Sequence, residues 1–570
     1  MMEVDAARIC QRYDRLKAER ATFESTWQEI AEVIRPLRAE FTATRSAGEK
    51  RYNKVFDSTP LMAADNFAGG IYGMMTSPSN RWFSLKLEDD DLGGWGPVKT
   101  WLYNTTTILL NSFGPEYSRF YNVIPALYAD LACFGNGVFY SEEQEGRRIN
   151  DSVRALSEVV FAENTYGEVD TVYRRYSTEA INIVKGFPDT VSDKIKKIAE
   201  KDPYQKIWLL HCVEVAEDYE PGNLFKRPYT SVIVEQETKH VLSKKGYFEM
   251  PFQIPRWSQA AGETYGRGLG EIVIADVKTL NQQSRTALVS AQKAADPPLL
   301  APDEGVIRQA RTYPGGITYG GIDSNGNQLL RPLISGGDHR LTMEMMEQRR
   351  QSIREGFYFS LMQMVGSPDM TATEWIGRQE EKLRLLGPNL GRIQSEFLSP
   401  LVRRRFGMLG RMGLIPPPPP EIQGQKMQVD YVSPLAKAQM AGEAQAVVRL
   451  YQSVEAMAGI DPTILDNINH DEALNMLAKG WAVPAPVMRG PEEVAAIREQ
   501  RAEQERMAQM TQMAQAGGAA FRSVAQGGKE MAQAEATRAD TEAKGAKSGG
   551  ADIGSAIQML RAALSGNRAA

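Results

Sequence analysis

The sequence predicts an α+β protein of several parts, organised around a two-helix rod that carries a small β-containing tip. Three observations support this. The run Glu271 to Ala295 contains neither Gly nor Pro, and Leu269, Ile272, Val273, Leu280, Leu288, Ala291 and Ala294 recur at helical spacing. Such a helix of about 25 residues is roughly 38 Å long. Asp296-Pro297-Pro298 stops it, and the insert that follows is punctuated by Pro314-Gly315-Gly316, Gly320-Gly321 and Ser335-Gly336-Gly337, with β-like pieces at Gly316–Tyr319 and Gln328–Leu330. Asp338 then caps a second helix through Leu341, Met345 and Ile353.

The other elements follow in chain order. Val4 to Ile34 is an amphipathic helix with the stripe Ile9, Tyr13, Leu16, Phe23, Trp27, Ile30 and Ile34, ended by Pro36. Asp57-Ser58-Thr59-Pro60 starts a helix over Leu61 to Met75, with Pro at its first position. Trp82 to Leu87 alternates as a strand. Helices are expected over Val98–Phe113 and Tyr117–Phe134, and Asn136-Gly137 turns the chain into a strand at Val138–Glu142. Strands are expected at Val159–Ala162, Val169–Tyr176, Trp208–Glu217 and Ser231–Glu237, with a helix over Thr190–Lys201. Beyond the rod comes a loop, Gln363–Met370. A capping box at Thr371–Glu374 opens a helix that runs to Gly387-Pro388, and another helix covers Leu390–Met412. Pro416 to Pro420 impose an extended segment. Ser433 to Gly480 is a small helical unit, and from Pro491 an Ala/Gln/Glu-rich tail reads as a broken helix followed by a partly disordered stretch, a helical barrel or disorder in the assembly.

Composition narrows the function classes. An apolar share of 42% and a charged share of 24% in 570 residues describe an ordinary soluble chain long enough for several domains. A net charge of −5 argues against a dedicated nucleic-acid binder but is compatible with a protein that DNA slides past. Cys10, Cys133 and Cys212 have no metal or redox spacing and read as small buried residues. The N-terminus lacks the pattern of a signal peptide, and no apolar run approaches the roughly 20 residues of a membrane span. The expectation is a protein made and kept in a cytoplasm, or packaged from one.

No catalytic constellation emerges. Gly266-Arg-Gly268-Leu-Gly270 has G-x-G-x-G rather than G-x-G-x-x-G spacing and follows no buried strand, so it reads as glycines that let a helix pack closely. A nucleotide-binding enzyme built on it is one competing class, and a coiled-coil scaffold built on the tail is another. His211, His240, His339 and His470 stand at no ligand spacing, and Asp89-Asp90-Asp91 reads as a solvated loop. The basic clusters Arg349-Arg350 and Arg403-Arg404-Arg405 suit either phosphate contact or pairing across a subunit interface. No metal, cofactor or catalytic residue is assigned, and the expectation is that the chain is not an enzyme.

A series of short motifs occurs in order: Trp27-Gln-Glu-Ile-Ala-Glu with Pro36, Phe56-Asp-Ser-Thr59 with Gly69-Gly70, Thr76-Ser-Pro78 with Trp82-Phe83, Phe134-Gly-Asn-Gly137, Tyr166-Gly-Glu-Val-Asp170, Tyr265-Gly-Arg-Gly268, Asp276-Val-Lys-Thr-Leu-Asn281, Met370-Thr-Ala-Thr-Glu374 and Tyr431-Val-Ser-Pro-Leu435. Through them the chain resembles the head–tail connector family, the portal proteins of short-tailed bacteriophages. The resemblance covers about residues 8 to 480. It implies a wing over 1–260 and 371–415, a first stem helix over 261–295, a clip over 296–337 and a second stem helix over 338–360. It also implies a tunnel loop over 361–370, a Pro-rich linker over 416–430, a helical crown over 431–490 and a tail over 491–570.

The same resemblance implies a ring of twelve copies at one capsid vertex of the virion, with terminase large subunit, tail adaptor or nozzle proteins, and major capsid and scaffolding proteins as partners. Double-stranded DNA passes through it without sequence specificity, and no membrane is involved. Gln363, Met364, Val365, Gly366, Ser367 and Asp369 would face DNA, Arg308, Arg311, Tyr313 and Tyr319 would serve docking at the clip, and Arg349 and Arg350 would supply basic charge on the stem.

Overall fold

The computed structural model describes residues 5–510 except 47, 90–91, 94, 145–147, 224–225, 301–310, 312, 314, 320, 334–338, 363–384, 432–433, 459–466, 482, 484–486 and 490–492. The chain divides into two units, Met1–Gly490 and Pro491–Ala570.

In the first unit, helix α1 (Ala6–Ile34) is capped by the Asp5 carboxylate, which accepts from the N–H groups of Ala7 and Arg8. Helix α2 (Thr59–Met75) has Pro60 in its first turn. Strand β1 (Phe83–Leu87), helices α3 (Gly96–Ser112) and α4 (Phe120–Phe134), and the hairpin β2 (Phe139–Gln144) and β3 (Arg148–Val153) follow. Then come β4 (Val159–Glu163), β5 (Val169–Glu179), α5 (Ala180–Gly186), α6 (Asp193–Lys201), β6 (Lys206–Val215), β7 (Tyr229–Glu235), β8 (His240–Tyr247) and β9 (Phe252–Gln253).

Strands β4 to β8 form an antiparallel meander in sequence order. It is buried on both faces. The N-terminal half of α1 lays Ile9, Tyr13 and Leu16 on Val160, Tyr173, Leu210 and Val232. On the other face Ile183 of α5 and Ile195 of α6 meet Ile207, Leu209 and Leu242. This explains the run Ile207 to Val213, in which apolar residues occupy both parities of one strand. Strands β3 and β8 were not expected from the sequence. Both are sheet edges, and Arg148-Ile-Asn-Asp-Ser-Val153 and Ser243-Lys244-Lys245 carry the polar side chains that keep an edge from pairing further.

The chain then enters α7 (Leu269–Ala295), the short strands β10 (Leu299–Leu300) and β11 (Arg331–Pro332), α8 (His339–Gly356) and α9 (Phe359–Met362). The tip differs from expectation: Gly316–Tyr319 is not a strand, and the pairing instead joins Leu299 to Pro332 and Leu300 to Arg331 at the rod's end. Gln328 makes only an isolated bridge to Ile322. Asp338 and the capping box Thr371–Glu374 lie outside the described residues. Helix 385–393 runs through Gly387 and Pro388 instead of ending there.

That helix passes into a π-turn at Gln394–Leu398 and then α10 (Ser399–Arg411). Pro400 explains the wider turn, because its ring would clash with the carbonyl four residues back in a regular α-helix. Strand β12 (Met427–Tyr431) pairs antiparallel with β1, and helices α11 (Pro434–Ala458) and α12 (His470–Gly480) pack together. In the second unit, 493–510 is helical and almost wholly exposed.

Among the buried polar centres of the body, two join α10 and the π-turn to the sheets. Arg405 pairs with Asp151, both fully buried, and Asp151 also accepts from Ser118 Oγ at 2.5 Å and Ser141 Oγ at 2.7 Å. Arg404 donates to the Ser141 carbonyl at 2.8 Å and the Glu249 carbonyl at 2.8 Å. The basic cluster on α10 is thus mostly internal: Arg404 and Arg405 hold the β2–β3 sheet to α10, and Arg403 alone of the three is exposed. This corrects the expectation of phosphate or intersubunit contact for that pair. The second centre is Arg256, 2% exposed, which bridges Glu163 at 2.6 Å and Glu396 at 3.0 Å. It thereby joins the sheet to the π-turn.

Removing one partner of a buried ion pair leaves an uncompensated charge, so Asp151→Ala is expected to cost about 3–5 kcal/mol, and adding Arg405→Met should recover part of the loss. Urea unfolding checks this; a loss below about 1 kcal/mol for the single change would contradict it.

Candidate functional site: the two-helix rod and its tip

The rod begins where two glycine motifs cross. Gly135 ends α4 in the left-handed region at φ +74°. A Cβ there would lie within 2.5 Å of Gly266 O and Gly268 N, one on Gly268 would lie 2.5 Å from Gly135 N, and one on Gly270 would lie 2.5 Å from Cys133 O. Backbone therefore meets backbone with no room for side chains. Asn136, fully buried, fastens the crossing: its side-chain amide donates to Gly266 O at 2.9 Å and its oxygen accepts from Gly266 N–H at 2.8 Å. The Trp257 N–H donates to Gly135 O at 2.9 Å. The glycines of Gly266–Gly270 serve this close approach.

A cavity of about 420 Å³ lies beside the crossing, lined in part by Phe23, Phe161, Tyr265, Glu19, Glu263 and Glu271. Arg267 is held between Glu263, at 2.6 Å, and Glu271. Carboxylates surround the one guanidinium, a setting that repels the phosphates of a nucleotide. The enzyme reading built on Gly266–Gly270 finds no support in this geometry.

Helix α7 buries Leu269, Val273, Val277, Leu280 and Ser284, one stripe at helical spacing. Beyond Ser284 the stripe ends, and Leu288 and Val289 are 53% and 43% exposed. Helix α8 returns antiparallel: Gly356 abuts Val273, and Arg349 pairs with Asp276 at 2.7 Å. Met346, Ile353 and Phe357 bury its near half, whereas Met343 and Met345 are exposed. The root of the rod is thus packed into the body, and its far half is bare in the single chain.

At the tip, the Asp323 carboxylate accepts from the N–H groups of Asn325 and Asn327 at 2.9 and 2.8 Å, closing a tight turn. Large apolar side chains point outward: Tyr313, Ile317, Tyr319 and Ile322 are each more than half exposed. Among the expected docking residues, Arg311, Tyr313 and Tyr319 are exposed on this tip, and Arg308 lies outside the described residues. So do Gln363, Met364, Val365, Gly366, Ser367 and Asp369. Arg349 and Arg350 form ion pairs within the chain, with Asp276 and with Asp57 at 2.9 Å.

The sequence motifs did not reveal the contacts between residues 54–57 and the rod. Residues 54–57 form a strap against both rod helices. The Asn281 side-chain amide donates to Lys54 O at 2.6 Å, and its oxygen accepts from the Phe56 N–H at 2.7 Å. Arg285 sits over the Phe56 ring at 5.7 Å. Asp57, with 8% of its side chain exposed, accepts from the Thr59 N–H at 2.9 Å and pairs with Arg350. The signal was present as Phe56-Asp-Ser-Thr59 and Asp276–Asn281, but only the fold brings the two together.

The histidines have local partners. His211 is buried against Ser231, and burial together with Arg174 and Arg154 pushes its pKa down to about 3, so it stays neutral. His240 and His470 contact Thr190 O and the Tyr451 hydroxyl. The side chain of His339 lies outside the described residues. Cys10, Cys133 and Cys212 are free and buried. Among the described residues no carboxylate, histidine and cysteine cluster suits a metal ion, and no helix is long and apolar enough to cross a membrane.

Two outcomes follow. Gly135→Ala is expected to cost at least about 1–2 kcal/mol for the left-handed backbone alone, with the backbone collision in addition, whereas Gly69→Ala on the open face of α2 should be neutral or stabilising. Chemical unfolding of both variants checks this; equal effects would contradict the crossing. Burial raises the Asp57 pKa, but the Thr59 and Arg350 hydrogen bonds outweigh it and leave the carboxyl below its usual range. Its contribution to stability is therefore present above the ordinary Asp range and lost as pH falls through the lower folded value. Asp57→Asn should flatten that part of the acid dependence of unfolding, and an unchanged profile would contradict the linkage.

The family described as bacteriophage head to tail connecting protein matches residues 6–488. The portal protein of Salmonella phage epsilon15 is 28% identical over 546 residues, covering 94% of this chain and 97% of that protein. The probable portal protein of Bordetella phage BPP-1 is 29% identical over 523 residues, covering 89% and 93%. The neck of an empty GTA particle aligns at 12% identity over 74% of this chain and 90% of that one, with a TM-score of 0.35, too low to bear on the fold. The chain belongs to the bacteriophage head to tail connecting protein family.

Proposed function

We propose that the chain is a portal subunit: copies close into a ring, expected to number twelve, at one capsid vertex, and double-stranded DNA enters and leaves through the central channel. One observation carries the reading. The rod is packed at its root and bare beyond Ser284, with Leu288 and Val289 exposed and an apolar tip beyond them. Exposed apolar surface of this kind calls for a partner, and neighbouring copies related by rotation supply one for every rod. A conduit must also release DNA. Each phosphate neutralised by Lys or Arg adds salt-sensitive affinity, and Arg349 and Arg350 are already paired with carboxylates, which suits a wall that DNA passes.

In this reading 1–260 and 371–415 are the wing, the two rod helices the stem, 296–337 the clip and 431–490 the crown. The clip docks terminase large subunit during packaging and tail adaptor proteins afterwards, through Arg311, Tyr313 and Tyr319. Residues 361–370 are the tunnel loop. The helix at 493–510, polar on nearly every face, gains stability only in company, which suits a barrel of such helices from several copies. The protein belongs to the virion at the portal vertex and is assembled in the bacterial cytoplasm beside major capsid and scaffolding proteins.

Deletion within Gln363–Asp369 tests the reading in an infection complemented by the variant. Rings are expected to form while packaged DNA falls; loss of rings would make the loop structural and contradict its assignment. Arg311→Ala is expected to weaken terminase or adaptor binding to purified rings several-fold without altering assembly, and unchanged binding would remove Arg311 from the docking surface.

A further inference from the structure

We infer that the clasp formed by Asn281, Asp57 and Arg350 fixes the angle between body and rod, and through it the number of copies in the ring. The inference rests on the ring reading above. Twelve copies in a ring are each turned about 30° from the next, whereas eleven or thirteen need about 33° or 28°. A change of about 2–3° between a subunit's two contact surfaces therefore changes the count. In the ring reading, contact surfaces fall on the body and on the bare half of the rod, so the joint between them bears on the count.

The apolar packing at that joint, where α7 meets α1 and α4 and α8 meets α2 within one core, is non-directional and tolerates small rotations. Hydrogen bonds are directional and do not. Besides the Asn136–Gly266 bonds at the root, which act as the pivot, the directional body–rod contacts among the described residues lie mainly in the strap. Asn281 makes two bonds to the backbone at 54 and 56, at 2.6 and 2.7 Å, so its position is fixed relative to main chain rather than to a flexible side chain. Asp57 accepts from the N–H of Thr59, the first residue of α2, and receives the Arg350 guanidinium through Nε at 3.0 Å and Nη2 at 2.9 Å, which ties the start of α2 to α8 of the rod. The strap is itself anchored to α1 by Lys54 to Glu32 at 2.6 Å. The exposed pair Lys278 and Glu29 adds little. Asn281 and Arg350 are thus positioning residues for assembly, acting from opposite rod helices on one strap.

Native mass spectrometry of purified full-length rings tests the inference. Wild type is expected to show one dominant count. Asn281→Ala and Arg350→Gln should each raise the share of rings with neighbouring counts several-fold. Arg350→Lys, which keeps the charge but not the fork, should fall between them and wild type. A count distribution unchanged in Asn281→Ala and Arg350→Gln, even with a lowered unfolding midpoint, would overturn the inference and leave the clasp merely stabilising. Folded variants that form no ring would overturn it too, because the clasp would then create the contact rather than set its angle. Absence of rings from wild type would strike the ring reading itself, and this inference with it.

Discussion

The close crossing of Cys133 and Gly135 with Gly266, Gly268 and Gly270 is the contact on which the rest of the molecule depends. It brings the end of α4 and the start of α7 within backbone distance, and Asn136 seals it with bonds in both directions. The body is thereby attached to the rod at a point with no side chain to flex. A lever of 27 residues, about 40 Å at the helical rise, needs such a root, because any looseness there is magnified at the tip. The glycines that resemble a cofactor turn in isolation are explained by this mechanical demand.

From that root, two kinds of interaction divide the work. Apolar burial supplies the cohesion: one large core runs from Trp27 through Phe139 and Leu280 to Phe397. Buried arginines supply the geometry. Arg256 joins the five-stranded sheet to the π-turn, and Arg404 and Arg405 hold α10 to the β2–β3 sheet. A guanidinium presents five donors in a rigid fork, which suits places where three elements must meet at one angle. Buried pairs of this kind are weak evidence for stability, since hydrophobic replacements often do as well. Their contribution here is orientation, and the same is true of Arg350 at the strap.

The legible parts of the sequence were those with local causes. The rod helices announced themselves because a run without Gly or Pro, ended by Asp296-Pro297-Pro298, has one plausible structure. The stripe of α1 and the start of α2 at Thr59-Pro60 were visible for similar reasons. Strand β6 was found but its two-sided burial was not, since Leu209, Leu210 and Cys212 break the alternation of a half-buried strand. The edge strands β3 and β8 were missed because their polar residues look like loop. The tip pairing was misplaced because two-residue strands leave no periodic signal. The site depended most on distance in sequence. Arg405 and Asp151 are 254 residues apart, and Asn136 and Gly266 are 130. Asn136 and Gly266 belong to motifs recognisable as a series, but nothing local says that one series member binds another. Arg311, Tyr313 and Tyr319 were expected on the tip because they fall between the two rod helices in sequence, and all three are exposed there.

The central claim is that the bare half of the rod is completed by other copies of the same chain. Cryo-electron microscopy of the purified full-length assembly, at a resolution that places side chains, tests this most directly. The account predicts a closed ring in which Leu288 and Val289 lie against a neighbouring subunit, with the tips gathered around one opening of a central channel. A ring with those residues facing solvent, or a compact assembly without a channel, would contradict it.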